Sequence, residues 1–272
     1  MALLNGRRAL VTGASAGLGF GIAQELTVRG ARVLMCSRSP ERIQGATEQI
    51  AAHMKQSELV PGVAGRSVPH ALAADVTDPG AAAQLAGAAQ ALLGGLDILV
   101  CSAAGPPPGD FADMDDQAWE AAFRLILLTP IRLIRACMPM LRASGSGRVI
   151  LISSISGIQP VARLILSNTL RPGLMGLARH LGGELAHDGI LINAIAPGFF
   201  DTERAREVQE AIATSSGRPF EEVRAQYDAQ IPLARPGRPA ELGRLIAFLV
   251  SEENTYITGQ TLVIDGGLST AP

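Results

Sequence analysis

The sequence predicts an α/β fold: one doubly wound domain over residues 1–272, with helices on both faces of a seven-stranded parallel sheet. Three observations carry that expectation. Short, wholly apolar runs alternate with longer segments of helical spacing along the whole chain, as strands buried on both faces require. The first such run breaks into a glycine-rich turn that opens a helix. The length suits one such domain with a large core, and no internal repeat or linker divides it.

In order, Ala9-Leu10-Val11 reads as a strand, and Ile22-Ala23-Gln24-Glu25-Leu26 carries helical spacing after the turn between them. Gly13, Gly17 and Gly19 in that turn permit positive φ and close approach of backbone to a ligand, while free N–H groups at a helix start favour an anion. The ligand suggested is a dinucleotide pyrophosphate. Arg32-Val33-Leu34-Met35-Cys36 is a second strand, and Ser39-Pro40-Glu41 starts a helix with a cap, an N1 proline and an early acid. Between Lys55 and Ser67, Pro61, Gly62 and Gly65 without periodicity indicate a loop. Ala71–Ala74 is the third strand, ending at Asp75; Pro79–Leu93 is a helix and Leu96–Val100 the fourth strand. Gly105-Pro106-Pro107-Pro108-Gly109 makes a stiff loop. Trp119–Leu141 reads as one long helix, Arg148–Ile152 as strand five, Leu164–Ala186 as another long helix, Ile190–Ala194 as strand six and Leu262–Ile264 as strand seven.

The formal net charge is −2, with no basic run and one tryptophan, which argues against nucleic acid as a partner. Cys36, Cys101 and Cys137 share no disulfide or metal-ligand spacing, so a reducing cytoplasm is expected and no metal site. Residues Met1 to Arg8 are too short and too soon charged for a signal peptide, and no apolar run reaches membrane-spanning length. A soluble cytoplasmic protein is expected. Ligands of such sheets lie beyond the carboxyl ends of the strands. Ser37-Arg38 follows strand two, where an acid would bind the ribose hydroxyls of NAD; a guanidinium stands there instead and favours the extra phosphate of NADP.

Thr12-Gly13-Ala14-Ser15-Ala16-Gly17-Leu18-Gly19, Asp75, Pro197-Gly198-Phe199-Phe200-Asp201-Thr202 and Tyr256-Ile257-Thr258-Gly259 with Asp265-Gly266-Gly267 together resemble the short-chain dehydrogenase/reductase family, a Rossmann-type fold. The resemblance implies NADP(H) held by Gly13, Ser15, Gly17, Leu18, Gly19, Ser37 and Arg38. It puts Asp75 and Val76 at the adenine, Ala103 behind the ribose, and Gly198 and Thr202 at the nicotinamide end. It also implies a substrate cover around residues 199–230 and, through the two long helices, a homo-oligomer, tetramer or dimer.

The family's reaction uses a tyrosine acid/base, a lysine four residues later and a serine thirteen residues before the tyrosine. Ser154 fits the serine position; counting on gives Ser167 and Arg171. Gly176-Leu177-Ala178 and Asn193-Ala194-Ile195-Ala196-Pro197-Gly198 remain in register, so a local gap does not explain the change. Ile126 stands where the family has an asparagine supporting a proton-relaying water, and Cys101-Ser102-Ala103-Ala104 replaces the Asn-Asn-Ala-Gly signature. A serine hydroxyl falls several ångströms short of a phenol and is far less acidic than tyrosine's ~10. Arginine keeps the charge, but above ~12 it does not shuttle protons as lysine does. Ser167 and Arg171, four apart on a helix, share a face.

Other candidates have plainer readings. Cys101 suits a small buried residue, and His180 and His187 suit a helix end or the surface. Tyr227 could deliver a phenol from the cover or only pack there, and Tyr256 belongs to a structural turn. Three functions stay open: an NADP(H)-dependent oxidoreductase of ketoreductase type acting on a carbonyl or alcohol through Ser154, Ser167 and Arg171; a non-redox isomerase, cyclase or dehydratase; and a catalytically silent nucleotide-binding protein. Intact cofactor residues favour the first, the lost acid/base residues the others, and fold alone does not choose.

Overall fold

A computed structural model describes residues 3–56 and 67–270. The loop expected around Pro61 lies for the most part outside the described residues. Seven parallel strands, β1 Arg8–Thr12, β2 Arg32–Ser37, β3 His70–Ala73, β4 Ile98–Cys101, β5 Arg148–Ile152, β6 Leu191–Pro197 and β7 Thr261–Ile264, form one sheet in the order β3-β2-β1-β4-β5-β6-β7. The chain winds outward in one direction from β1 to β3 and in the other from β4 to β7. The crevice between β1 and β4 is therefore the switch point where such sheets take ligands.

Strand alternation divides the core. Ala9, Val11, Val33, Met35, Ile98, Val100, Ile150 and Ile152 face one side, packed by α1 (Gly17–Val28), α2 (Pro40–Gln56) and α9 (Pro239–Leu249). Leu10, Leu34, Leu99, Cys101, Val149 and Leu151 face the other, under α3 (Ala81–Leu93), α5 (Thr129–Ala143) and α6 (Ile165–Glu184). Burying apolar side chains on both faces is why these strands read as continuous apolar runs.

Two features depart from the sequence reading. The single helix expected over Trp119–Leu141 is α4 (Asp116–Phe123), a π-helical turn (Arg124–Leu128) and α5. Pro130 lacks the N–H that would bond the Ile126 carbonyl four residues back, and the Thr129 N–H instead reaches the Arg124 carbonyl five back. Helix α9 was not expected at all, although Pro239 at its first turn, Glu241 and buried Leu242, Ile246 and Leu249 are the pattern of a started amphipathic helix. Beyond β6, α7 (Glu203–Ser216) and α8 (Phe220–Asp228) fill the segment expected to cover the substrate.

Candidate cofactor cleft and active site

The turn after β1 has the chemistry an anion site requires. Helix α1 begins behind Ala16 with no capping side chain and no acid in its first turn, so its leading N–H groups have no internal partner. Gly13 and Gly17 hold φ of +61° and +56°. Their surroundings differ. A Cβ on Gly13 would lie 2.7 Å from the Ser102 carbonyl oxygen, which is itself fixed by a 2.7 Å bond from the Thr12 hydroxyl. A Cβ on Gly17 would meet only the Thr202 methyl at 3.5 Å, leaving that side open. We expect Gly13→Ala to cost about 2–3 kcal/mol of stability through overpacking and Gly17→Ala about 1 kcal/mol of backbone strain, measured by urea unfolding. Equal losses would show that Gly13 is not the tighter position. Ser15 and Leu18 are half-buried in the same turn. Free N–H groups, an open glycine and no opposing acid in the α1 turn fit a pyrophosphate.

At the ends of β2 and β3, Ser37 is half-buried and Arg38 exposed. Burial works to raise the Asp75 carboxyl, but hydrogen bonds from the Thr77 N–H and hydroxyl, with the nearby Arg38 guanidinium, hold it below its ordinary value. Val76 follows, its carbonyl accepting from the Thr129 hydroxyl at 3.2 Å, which ties this edge to the π-helical turn. Gly198 sits against Asp265, where a Cβ would come within 2.6 Å of the aspartate Cβ, and Thr202 caps α7 by accepting from the Ala205 N–H at 3.2 Å.

Between the β4 end and the π-helical turn lies a cavity of about 20 Å³, bordered by Thr12, Cys101, Ala103, Ile126, Ile152 and Arg171 among others, with room for roughly one water. Arg171 is 8% exposed, yet among the described residues no carboxylate pairs with it. One terminal nitrogen donates to the Ile152 and Ser153 carbonyls at 2.6 and 3.1 Å, and its buried Nε has no partner. Burial pushes the guanidinium down to about 10.

Ser154, half-buried just past β5, accepts from the Ser156 N–H at 3.1 Å, which leaves its own hydroxyl proton free to donate. Buried Ser167 lies 3.0 Å from the Ser156 hydroxyl. Ser167 and Arg171 thus point from one face of α6 onto the end of β5 and the turn after it. Gly157 permits this approach: a Cβ there would lie 2.9 Å from the Arg171 Cβ. Sequence reasoning missed Ser156, although the run Ser153-Ser154-Ile155-Ser156 places three hydroxyls at one strand end.

The remaining candidates sort by position. Tyr227 packs on Phe199 with ring centroids 5.4 Å apart, tilted 59°. His180 pairs with Glu184 on the surface at 3.3 Å, and His187 is exposed. Burial pushes the Cys101 thiol above its ordinary range, which removes thiolate chemistry. Tyr256 is 96% exposed, so the structural work of its turn falls to Ile257, Thr258 and Gly259, which bond to Ile192 and Asn193. Among the described residues there is no cluster of three potential metal ligands and no helix long and apolar enough to cross a membrane.

The whole chain is similar to known proteins. A family model described as enoyl-(acyl carrier protein) reductase matches residues 13–269. The 3-oxoacyl-[acyl-carrier-protein] reductase FabG of Escherichia coli is 32% identical over 97% of each chain. The L-sorbose reductase of Gluconobacter frateurii, solved with NADPH and L-sorbose, superposes with a TM-score of 0.91 at 26% identity, covering 99% of this chain and 100% of that one. An NADPH-bound short chain oxidoreductase of Pseudomonas aeruginosa, described as containing an atypical catalytic centre, gives 0.85 at 29% identity over 97% of each. With the sheet order, the glycine turn and near full-length matches in agreement, the chain belongs to the short-chain dehydrogenase/reductase family of NAD(P)H-binding proteins.

Proposed function

We propose that the protein is an NADP(H)-dependent oxidoreductase of ketoreductase type, interconverting a carbonyl and an alcohol in a small-molecule substrate at a non-standard site made by Ser154, Ser167 and Arg171. The observation that carries this reading is the buried guanidinium of Arg171, unpaired with any carboxylate among the described residues, under the same strand end that presents the Ser154 hydroxyl. The α1 turn, Ser37 and Arg38, Asp75 and Val76, Ala103, Gly198 and Thr202 are the residues that would hold NADP(H), which when bound supplies the hydride. Ser154 donates its free hydroxyl proton in a hydrogen bond to the carbonyl oxygen, and the Arg171 charge stabilises the oxyanion as it develops. Ser167 steadies Ser156 and through it Ser154. The proton that completes the alcohol comes from water, since no phenol stands on this face of α6.

Helices α7 and α8 form the substrate cover, supported by the Phe199–Tyr227 contact that ties α8 to the chain leaving β6. A homo-oligomer, supported by exposed aromatic rings at Phe123 and Tyr256, is checked by sedimentation. Three unpaired buried cysteines support a cytoplasmic setting, and the net charge of −2 a protein without nucleic-acid or membrane partners.

The test is NADPH oxidation against a panel of ketones, beside cofactor titrations. NADPH should bind more tightly than NADH, and Arg38→Ala should weaken NADPH alone by roughly tenfold to a hundredfold, the worth of one charge-assisted contact. Equal affinities in the wild type, or no hydride transfer across the panel, would turn the assignment toward a non-redox or silent protein.

A further inference from the structure

Beside the phosphate turn lies a groove of about 490 Å³ whose α2 and α7 walls the nucleotide reading above does not use. Ser15, Ala16 and Gly17 line it from one side, Glu41, Arg42 and Gly45 of α2 from another, and Glu203, the first residue of α7, closes it; the Glu41 carboxylate is engaged by the Ser39 hydroxyl at 2.8 Å, whereas that of Glu203 holds Arg42. One terminal nitrogen of Arg42 donates to a Glu203 carboxylate oxygen at 2.7 Å across 161 residues of sequence, with both side chains more than half exposed. Arg42 lies four residues after Arg38, within the first turn of the helix that follows β2, and the small Ala16 side chain leaves the space between α2 and the phosphate turn open.

We propose that Arg42 is a second specificity determinant for the adenosine phosphate of NADP(H), and that Glu203 competes with that phosphate for it. The inference rests on the cofactor assignment above. An exposed carboxylate–guanidinium pair adds little stability, whereas a phosphate presents more charge and more acceptor oxygens to the same fork, so exchange of partners is favourable. Glu203 loses little when released, because it stands in the first turn of α7, where the helix dipole already favours an acid. In the free protein Glu203 therefore masks the guanidinium; its cost falls on the cofactor that carries the additional adenosine phosphate.

Titration of NADPH and NADH into the wild type, Arg42→Ala, Glu203→Gln and the double variant tests this. Arg42→Ala should weaken NADPH by about threefold to tenfold and Glu203→Gln should tighten it by about threefold, neither changing NADH, magnitudes that suit exposed charged contacts. In the double variant the gain from Glu203→Gln should vanish. NADPH affinity untouched by Arg42→Ala, NADH shifted as much as NADPH by Glu203→Gln, or a gain that survives in the Arg42→Ala background would each overturn the proposal. A wild type that prefers NADPH through Arg38 alone defeats only this inference; a wild type without any NADPH preference defeats the cofactor assignment beneath it.

Discussion

Arg171→Met should lower kcat/KM for carbonyl reduction by about 100- to 1,000-fold while leaving the protein folded, the loss expected when one preorganised charge is taken from a developing oxyanion. Stability and activity separate here because two large effects on stability nearly offset. The guanidinium is buried, pairs with no carboxylate among the described residues and sits well below the ordinary arginine value, which corresponds to a burial cost on the order of 3 kcal/mol. Against that stand its two bonds to the Ile152 and Ser153 carbonyls, each worth about 1.5–3 kcal/mol. Methionine keeps the volume and removes both effects together, so the melting midpoint should move little. The sign with pH follows. A base whose folded value is depressed binds its proton more weakly than in the unfolded chain, so the charge costs stability at every pH below about 10, and that cost fades as pH rises through it. If the reaction needs the charge, activity should persist below pH about 10 and fall above it. A pH–rate profile flat through that range, or a variant with wild-type turnover, would show that Arg171 is only a staple for the end of β5.

Much of this was legible in the chain because parallel strands buried on both faces leave an unambiguous apolar signature. All seven strands were found within a few residues, and the glycine turn stands where it was expected, between β1 and α1. Other features hid where local sequence does not encode the partner. The break before α5 follows from one missing N–H at Pro130, inside a stretch whose apolar spacing is otherwise continuous. Gly13 was legible as a glycine needed in the turn, but not as a position pressed against the Ser102 carbonyl, since that neighbour lies 89 residues away. Ser167 and Arg171 were legible as sharing a helix face. That Ser167 meets Ser156 and Arg171 meets two backbone carbonyls depends on how α6 lies over Gly157, a tertiary fact.

The triple variant Ile126→Asn, Ser167→Tyr, Arg171→Lys should raise kcat for ketone reduction by about 100- to 10,000-fold, the usual range for a well-placed general acid. Ser167 does not fill that role itself: its hydroxyl is held at 3.0 Å from Ser156, and Ser167→Ala should cost no more than about tenfold, one orienting hydrogen bond. A tyrosine at this position extends past Ser156 toward the hydroxyl of Ser154. Lysine at 171 keeps a cation below it that titrates within reach of the reaction. Asparagine at 126 faces the cavity of about 20 Å³, where one water can meet its amide. Ser167 is 6% exposed, so the ring overpacks its surroundings at a cost of about 1–3 kcal/mol, which urea unfolding of the NADPH-bound variant would register. With the phenol as acid, the variant should lose activity as pH rises past tyrosine's ~10, a limb that would belong to the ring rather than to Arg171. A folded, NADPH-binding triple variant no faster than the wild type would mean that positions 167 and 171 do not occupy the acid/base register. A wild type inert toward every ketone beside a variant that reduces them would mean that the native cleft has left hydride transfer for other chemistry.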